Sequence, residues 1–186
     1  MGRLAVVSCA LAMLCGLADA RPASTGWFAE GGLGAVSFLP PRASSAAAIG
    51  PALGVRVGRD LFSWFSVGIQ LAASSHEATV PPPPEGEYFQ LYRGAGDVRL
   101  TGRIDRLALF AEGGVGAVMI SSNVLGKVMI TDPGEKYSIM FQGGAGFEYQ
   151  LENRHYAVGL AADAFLLAQF DALRAIDTRV YLRYTY

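Results

Sequence analysis

The chain ends in Val180-Tyr181-Leu182-Arg183-Tyr184-Thr185-Tyr186, the stretch that decides its fold. Successive side chains along a β-strand point to opposite faces of the sheet. One face of this strand would carry Val180, Leu182, Tyr184 and Tyr186, and the other would carry Arg179, Tyr181, Arg183 and Thr185. A strand with an aliphatic and aromatic face on one side and arginines on the other separates an apolar environment from a charged one.

The N-terminus predicts export from the cytoplasm. Arg3 precedes an apolar run from Leu4 to Leu17, and Ala18-Asp19-Ala20 then supplies the small residues of a cleavage site. These features predict a secretory signal peptide at residues 1–20 and a mature domain at residues 21–186. Both cysteines lie in the signal, so we expect a mature chain without disulfides.

The composition narrows the class of protein. Apolar residues make up 52% of the chain, yet residues 21–186 contain no uncharged apolar stretch long enough to span a bilayer as a helix. Such a chain has either a large soluble core or a barrel whose outer surface faces lipid. The formal net charge of −1 argues against a nucleic-acid-binding surface.

Alternation of apolar and polar residues predicts eight strands. They lie at residues 26–39, 46–59, 63–75, 88–102, 107–121, 136–151, 155–168 and 174–186. The connections after the second, fourth and sixth strands are tight, at Arg59-Asp60-Leu61, Arg103–Arg106 and Glu152-Asn153-Arg154. Those after the first, third and fifth are longer, at Pro40–Ser45, His76–Glu87 and Ser122–Glu135. Tight turns that alternate with longer loops are typical of small membrane barrels, whose turns lie in the periplasm.

The two faces of the predicted strands differ in polarity. In the fifth strand, for example, Leu109 and Val115 lie on the face opposite Glu112. A soluble, lipocalin-like barrel would carry its charged residues outside. Here the charged residues form a minority face, which favours an apolar face in lipid and a charged face in the lumen. A closed barrel tolerates that environment because every backbone group is paired without water.

An internal repeat supports the eight-strand reading. The segment Phe28–Val36 recurs as Phe110–Val118 with eight of nine positions identical, 82 residues further on. A duplicated four-strand half would produce this spacing, since the first strand would then match the fifth. The repeated glycines lack the Lys-Ser/Thr ending and the helix of a phosphate-binding loop. We therefore expect them to be small lumen residues that leave room for large neighbours.

With the signal, eight alternating strands, Gly-x-Gly strands and an aromatic terminus, the chain resembles the OmpA/OmpX-type small outer-membrane β-barrels. The resemblance covers residues 21–186 and implies an all-β, eight-stranded antiparallel up-and-down transmembrane barrel with both termini in the periplasm. It also implies that Val180, Leu182, Tyr184 and Tyr186 form a C-terminal assembly signal, with Tyr186 in place of the commoner Phe. We expect no periplasmic anchoring domain after Tyr186.

Candidate catalytic residues are few. Lipid A deacylases among these barrels use a Ser/His/acid set on the lipid-facing surface, whereas the mature chain offers only His76 and His155. His76 follows two serines, but neighbouring residues on an extended chain point apart, so we expect a solvated loop there instead of a triad. His155 lies in a tight turn and is expected at the surface. Two distant histidines predict no metal site, and no cofactor is expected.

The sequence predicts a non-enzymatic barrel with a structural or surface-interaction role, because eight strands enclose an interior that side chains can fill. The alternatives are a narrow small-solute channel and, with less support, a lipid A-modifying hydrolase. Pro81–Pro84 predict a stiff extended loop that either caps the barrel mouth or presents a ligand. Expected partners are outer-membrane lipid and lipopolysaccharide, the barrel assembly machinery and an extracellular or envelope protein, but not nucleic acid.

The inward faces predict a charge network that closes the lumen. Its members are Glu30, Arg56, Arg93, Asp97, Arg99, Glu112, Glu148, Asp163, Asp177, Arg179 and Arg183. Acids and bases nearly balance in this set, as expected where buried charges must be paired. Since the last strand must close against the first, we expect Glu30 to contact Arg183 or Arg179 across that seam.

Overall fold

The structure is a computed structural model that describes residues 25–39, 48–77, 88–121, 137–153, 155–169 and 173–186. The expected signal peptide, Pro81–Pro84 and the turn predicted at Asp132-Pro133-Gly134 lie outside these residues. No helix in the described part of the chain is long and apolar enough to cross a membrane.

Eight strands form one closed barrel. They are β1 (Trp27–Phe38), β2 (Gly50–Phe62), β3 (Phe65–Glu77), β4 (Tyr88–Ile104), β5 (Leu107–Ile120), β6 (Tyr137–Gln150), β7 (Tyr156–Leu167) and β8 (Leu173–Thr185). Each strand pairs antiparallel with the next in sequence, and β1 pairs antiparallel with β8. The predicted eight-stranded antiparallel up-and-down barrel is confirmed.

The strand bounds agree with prediction to within two residues except at β2. The turn expected at Arg59-Asp60-Leu61 is wrong, because β2 continues to Phe62 and the turn follows at Ser63-Trp64. The Asp60 amide donates to the Gly26 carbonyl at 2.8 Å, which extends the pairing with the chain before β1. A register irregularity between Asp60 and Phe62 absorbs the change of direction.

The outer surface of the barrel is apolar. Large hydrophobic side chains are exposed on every strand, among them Leu33, Val55, Ile69, Val98, Leu109, Phe141, Leu160 and Leu182. Aromatic rings collect at the two ends of this surface. Trp27, Trp64, Tyr149, Tyr156 and Tyr186 lie near the tight turns, whereas Tyr88, Tyr92 and Tyr137 lie near the longer loops. Apolar residues outside and charged residues inside reverse the polarity of a soluble barrel.

The interior has two zones along the barrel axis. Toward the longer loops, apolar side chains pack together in a group that we call the loop-side cluster, which includes Val36, Phe38, Leu91, Met140 and Leu167. Toward the tight turns the interior is polar and holds the charged side chains. The interior therefore consists of an apolar half near the longer loops and a charged half near the tight turns.

Inward-facing glycines make room for large side chains on neighbouring strands. A Cβ placed on Gly58 would lie 2.6 Å from Cζ of Phe28, and one placed on Gly146 would lie 2.5 Å from Cζ of Phe110. Such approaches are far inside van der Waals contact. The rings occupy the volume that these two glycines vacate. Of the repeated glycines, Gly32 and Gly114 face the lumen as expected, but Gly31 and Gly113 lie on the outer face, so the expectation is wrong for those two.

Gly146→Ala should destabilise the barrel by about 1–3 kcal/mol, the usual cost of overpacking a filled interior. The outward-facing Gly113 is the matched control, because a Cβ there would meet nothing nearer than 3.7 Å. Urea unfolding of the refolded protein in lipid vesicles measures both variants. Equal losses for Gly146→Ala and Gly113→Ala would contradict the steric role of the inward glycine.

Candidate functional site: the charged lumen

The eleven residues of the expected charge network all lie on the inner face. None of them has more than 8% of its surface exposed, and the least exposed is Arg99 at 1%. β1, β2 and β4 to β8 each contribute at least one of these side chains. Parity along the strands brings them together, since every second residue of a closed barrel points toward the axis.

Glu30 is the centre of the network. Its Oε1 accepts hydrogen bonds from Arg99 at 2.9 Å, from Arg56 at 3.1 Å and from Arg183 at 3.1 Å. The Arg183 contact crosses the seam between β1 and β8, where Glu30 and Arg183 are directly paired in register. Arg179, the alternative partner expected for Glu30, instead binds Glu112 and Asp163.

The repeated segment holds one arginine in the same way in each half of the barrel. Arg183 lies 4.0 Å from the ring centroid of Phe28 and bonds Glu30, while Arg99 lies 4.1 Å from the ring centroid of Phe110 and bonds Glu112. The registers match as well, because Glu30 pairs with Arg183 and Glu112 pairs with Arg99. Each Phe-x-Glu therefore forms what we call an arginine cradle, with cation–π contact on one side and a carboxylate on the other.

The two cradles extend the internal symmetry beyond the repeat itself. Phe28 pairs with Thr185 and Phe110 pairs with Thr101, so that Arg-x-Thr at residues 99–101 recurs at residues 183–185. The two copies lie 84 residues apart, close to the spacing of 82 between the Phe-x-Glu copies. This second, shorter echo in the sequence was the signal that could have located both arginine partners.

The remaining charged residues surround the cradles. Arg56 binds Asp97 through Nε at 2.8 Å and Nη2 at 2.5 Å, and Arg93 binds Asp177 at 2.5 Å at the border of the loop-side cluster. Arg93 also lies over the ring of Phe165 at 4.6 Å. Arg93 and Arg56, which lies over the ring of Phe28 at 4.8 Å, thus have both carboxylate and aromatic partners, which offsets the cost of removing them from water.

Sequence reasoning missed three members of the network. Asp60 binds Arg183 at 2.5 Å, and it was missed because it was assigned to a turn. Arg103 lies 3.6 Å from Glu148 and donates to Gln150 at 3.0 Å. The Tyr181 hydroxyl donates to Glu148 at 3.3 Å. For Arg103 and Tyr181 the inward parity of β4 and β8 was available as a signal.

Two small cavities lie among the charged side chains of the described lumen. A cavity of about 20 Å³ lies near the tight turns beside Asp60, Arg103 and Glu148, and one of about 10 Å³ lies beside Glu30 and Gln70. A buried water needs about 10–15 Å³. Each of these two cavities can therefore hold an isolated water.

His76 does not lie in a solvated loop, and that prediction is wrong. It lies in β3 with 1% exposure, between the rings of Phe38 and Phe89 at centroid distances of 4.8 and 5.2 Å. Nδ1 is 3.0 Å from the Ala48 carbonyl, so it is the protonated nitrogen, and Nε2 accepts from the Ser74 hydroxyl at 2.9 Å. β3 extends two residues further than expected, and this extension places the His76 side chain inside the barrel, beside that of Ser74.

Other candidate sites are absent from the described residues. His155 is exposed at the turn end, with Nδ1 2.7 Å from the Thr185 carbonyl. Within residues 25–186, apart from the undescribed loops, no three His, Cys, Asp or Glu side chains converge in a way that could hold a metal ion. The ion-pair network is the principal polar site that the described chain contains.

No family model matches the chain, and no curated protein matches it. Solved structures do. Neisserial surface protein A is similar with a TM-score of 0.64 at 10% identity, covering 87% of this chain and 97% of its own. The outer membrane protein OprG from Pseudomonas aeruginosa is similar with a TM-score of 0.61 at 13% identity, and the match covers 90% of this chain and 99% of OprG. The outer membrane enzyme PagL is similar with a TM-score of 0.50 at 14% identity, and the match covers 86% of this chain and 99% of PagL. The chain has the fold of the small outer-membrane β-barrels.

Glu30→Ala should lower the free energy of unfolding by about 3–5 kcal/mol, because it leaves three buried guanidinium groups short of a carboxylate. The control is Glu152→Ala. The Glu152 side chain is 89% exposed and lies 3.7 Å from Arg106, so its removal should cost less than about 1 kcal/mol. Urea unfolding in lipid vesicles gives both values, and similar losses would argue against Glu30 as the centre of the network.

Proposed function

We propose that the chain is a non-enzymatic outer-membrane barrel with a structural or surface-interaction role and a lumen closed by paired charges. The observation that carries this proposal is the set of buried arginine–carboxylate pairs that crosses the interior, among them Arg99 with Glu30 and with Glu112. The same fold serves anchors, channels and enzymes, so the function is argued from the lumen and the surface rather than from the fold.

Two features support residence in the outer membrane. The exposed apolar surface extends around all eight strands, and it is bounded at each end by tryptophan or tyrosine rings. Such aromatic girdles are typical of barrels that lie between two membrane interfaces about 25 Å apart. We infer that lipid and lipopolysaccharide cover this surface, and that the tight turns and both termini lie in the periplasm.

The proposed role in surface interaction rests on the longer connections. Residues 40–47, 78–87 and 122–136 follow β1, β3 and β5, and all three connections emerge at the same end of the barrel. Loops on a rigid scaffold commonly carry the binding function of a protein. We infer that these segments face the cell exterior and contact an extracellular or envelope protein.

The channel alternative predicts a hydrated path through the barrel. The ion pairs argue against such a path in the half near the tight turns, and the loop-side cluster argues against it in the half near the longer loops. The hydrolase alternative predicts a nucleophile that lipid can reach. Ser74 and His76 do form a hydrogen-bonded pair, but both are buried on the inner face, with 4% and 1% exposure. Their orientation argues for a structural contact in the loop-side cluster over a lipid-facing catalytic pair.

The purified protein in planar lipid bilayers should give no large, stable conductance steps, because the ionic zone and the loop-side cluster both fill the lumen. Single-channel recording at moderate voltage measures this directly. Regular steps of uniform size would favour the channel alternative and overturn the proposed closed lumen.

A separate experiment tests the hydrolase alternative. Lipid A from a deletion strain, a complemented strain and a strain carrying Ser74→Ala should give the same mass spectrum. A loss of acyl groups that depends on Ser74 would replace the proposed function with an enzymatic one.

We further propose that Val180, Leu182, Tyr184 and Tyr186 act as the assembly signal read by the barrel assembly machinery. Their side chains lie on the outer face of β8, and Tyr186 packs edge-on against Tyr184 at 4.8 Å. Tyr186→Ala should lower the amount of assembled barrel in cells several-fold, and Tyr186→Phe should not. Spontaneous refolding of both variants in vesicles separates recognition from stability, because an equal defect there would refute the assembly role.

A further inference from the structure

The charges of the described lumen do not balance. The inward-facing carboxylates number seven: Glu30, Asp60, Asp97, Glu112, Glu148, Asp163 and Asp177. The inward-facing guanidinium groups number six: Arg56, Arg93, Arg99, Arg103, Arg179 and Arg183. One carboxylate in the described barrel therefore has no cationic counterpart, and an uncompensated charge in a desolvated interior is strongly unfavourable.

Between β5 and β7, two of these carboxylates share one guanidinium. Glu112 pairs in register with Gly144 of β6, and Gly144 pairs in register with Asp163 of β7. Because Gly144 has no side chain, the carboxyl groups of Glu112 and Asp163 reach toward each other across it. A single guanidinium confirms their proximity, since Arg179 donates to Asp163 from Nη1 and to Glu112 from Nη2.

One oxygen of this pair has no hydrogen-bond partner. Asp163 has 3% exposure, and its Oδ2 binds Arg179, but its Oδ1 is buried with neither a donor nor an acceptor assigned to it. Oδ1 lies over Gly144, well inside contact distance of the place a Cβ on that residue would take, and Gly144 is the residue that separates Asp163 from Glu112 in the sheet. An ionised Asp163 would leave this oxygen unsatisfied and facing a second carboxylate.

We propose that the lumen binds one proton at this position, held on Oδ1 of Asp163 and donated in a hydrogen bond to the Glu112 carboxylate. The proton gives the unpartnered oxygen a partner and makes the described lumen electrically neutral. It also explains why a position between two carboxylates is occupied by glycine, since any side chain there would separate them.

The groups around Asp163 favour a proton over a metal ion. Asp177 stands directly opposite on β8, and its Oδ1 is also buried without a partner, but its Oδ2 has Arg93 and no second carboxylate shares that guanidinium contact. Arg179 of the same strand donates to one oxygen of Asp163 and one of Glu112. From β4, Arg99 occupies the other Glu112 oxygen. Opposite Asp163, β6 places the uncharged Gly144, and the lumen carboxylate of that strand, Glu148, pairs in register with Gly159 instead. A metal ion would need several oxygen ligands at one point, and the described residues converge on no such group of three.

Proton binding makes stability depend on pH in a defined direction. The native state holds a proton that an exposed aspartate in the unfolded chain has lost at neutral pH, so the native state binds more protons than the unfolded state. Stability then falls as the pH rises, tenfold in the folding equilibrium constant per pH unit for one proton, until the native state also loses it.

The test uses the full barrel refolded in lipid vesicles and infrared spectroscopy of the carboxyl groups at neutral pH. The wild type should show the carbonyl stretch of one buried protonated carboxyl, and Asp163→Asn should lack it. Asp177→Asn is the matched control, because it changes the neighbouring buried aspartate and should keep the band. The ratio of folding constants of wild type to Asp163→Asn should fall about tenfold per pH unit as the pH rises above the pKa of an exposed aspartate, about 4, and should level off once the native state also releases the proton.

A wild-type spectrum with no protonated carboxyl band at neutral pH would overturn the proposal. So would a band that persists in Asp163→Asn, or one that disappears when sodium or calcium replaces a large organic cation in the buffer, since the last result would assign the excess charge to a bound metal. The wild-type spectrum alone decides the first and third outcomes if a variant fails to fold.

Discussion

Arg99 lies at the centre of the lumen with 1% of its surface exposed, bound to Glu30 and Glu112 and resting on Phe110. A guanidinium cannot be discharged at any ordinary pH, so once it is inside a barrel it needs carboxylates there. The same requirement applies to Arg56, Arg179 and Arg183, and together these four residues link β1, β2, β4, β5, β7 and β8 across the interior. The pairing of these charges holds opposite walls of the barrel together, beyond the hydrogen bonds between adjacent strands.

Each copy of the internal repeat forms one arginine cradle of this network. Phe28 and Glu30 on β1 hold Arg183 from β8, and Phe110 and Glu112 on β5 hold Arg99 from β4. Since β1 and β5 stand on opposite sides of an eight-stranded ring, the two cradles face each other and share Arg99. Inward glycines at the neighbouring positions give the rings room, as Gly146 does for Phe110. A duplicated half-barrel accounts for both the repeated residues and their opposed placement.

The interior changes from charged to apolar along the barrel axis, and this change affects whether a solute could pass through the barrel. Ion pairs fill the half near the tight turns, whereas the loop-side cluster and the Ser74–His76 contact fill the half near the longer loops. An ion that crossed the barrel would have to displace paired charges and then enter an apolar zone. The two fillings together are consistent with the proposed structural role and oppose a route for solutes through the described barrel.

The sequence by itself determined the number of strands, their order, the inward placement of the eleven charged residues and the seam where β8 meets β1. These follow from a period of two, because in a closed barrel parity alone decides whether a side chain points outward or into the lumen. The end of β2, the burial of His76 and the pairing of Arg179 with Asp163 and Glu112 depended on the tertiary structure. They depend on how far each strand runs before it turns and on the stagger between strands, which sets the height of each charge along the axis. Parity contains no information about height, so the sequence indicated which charges lie inside, and only the closed barrel decided which of them meet.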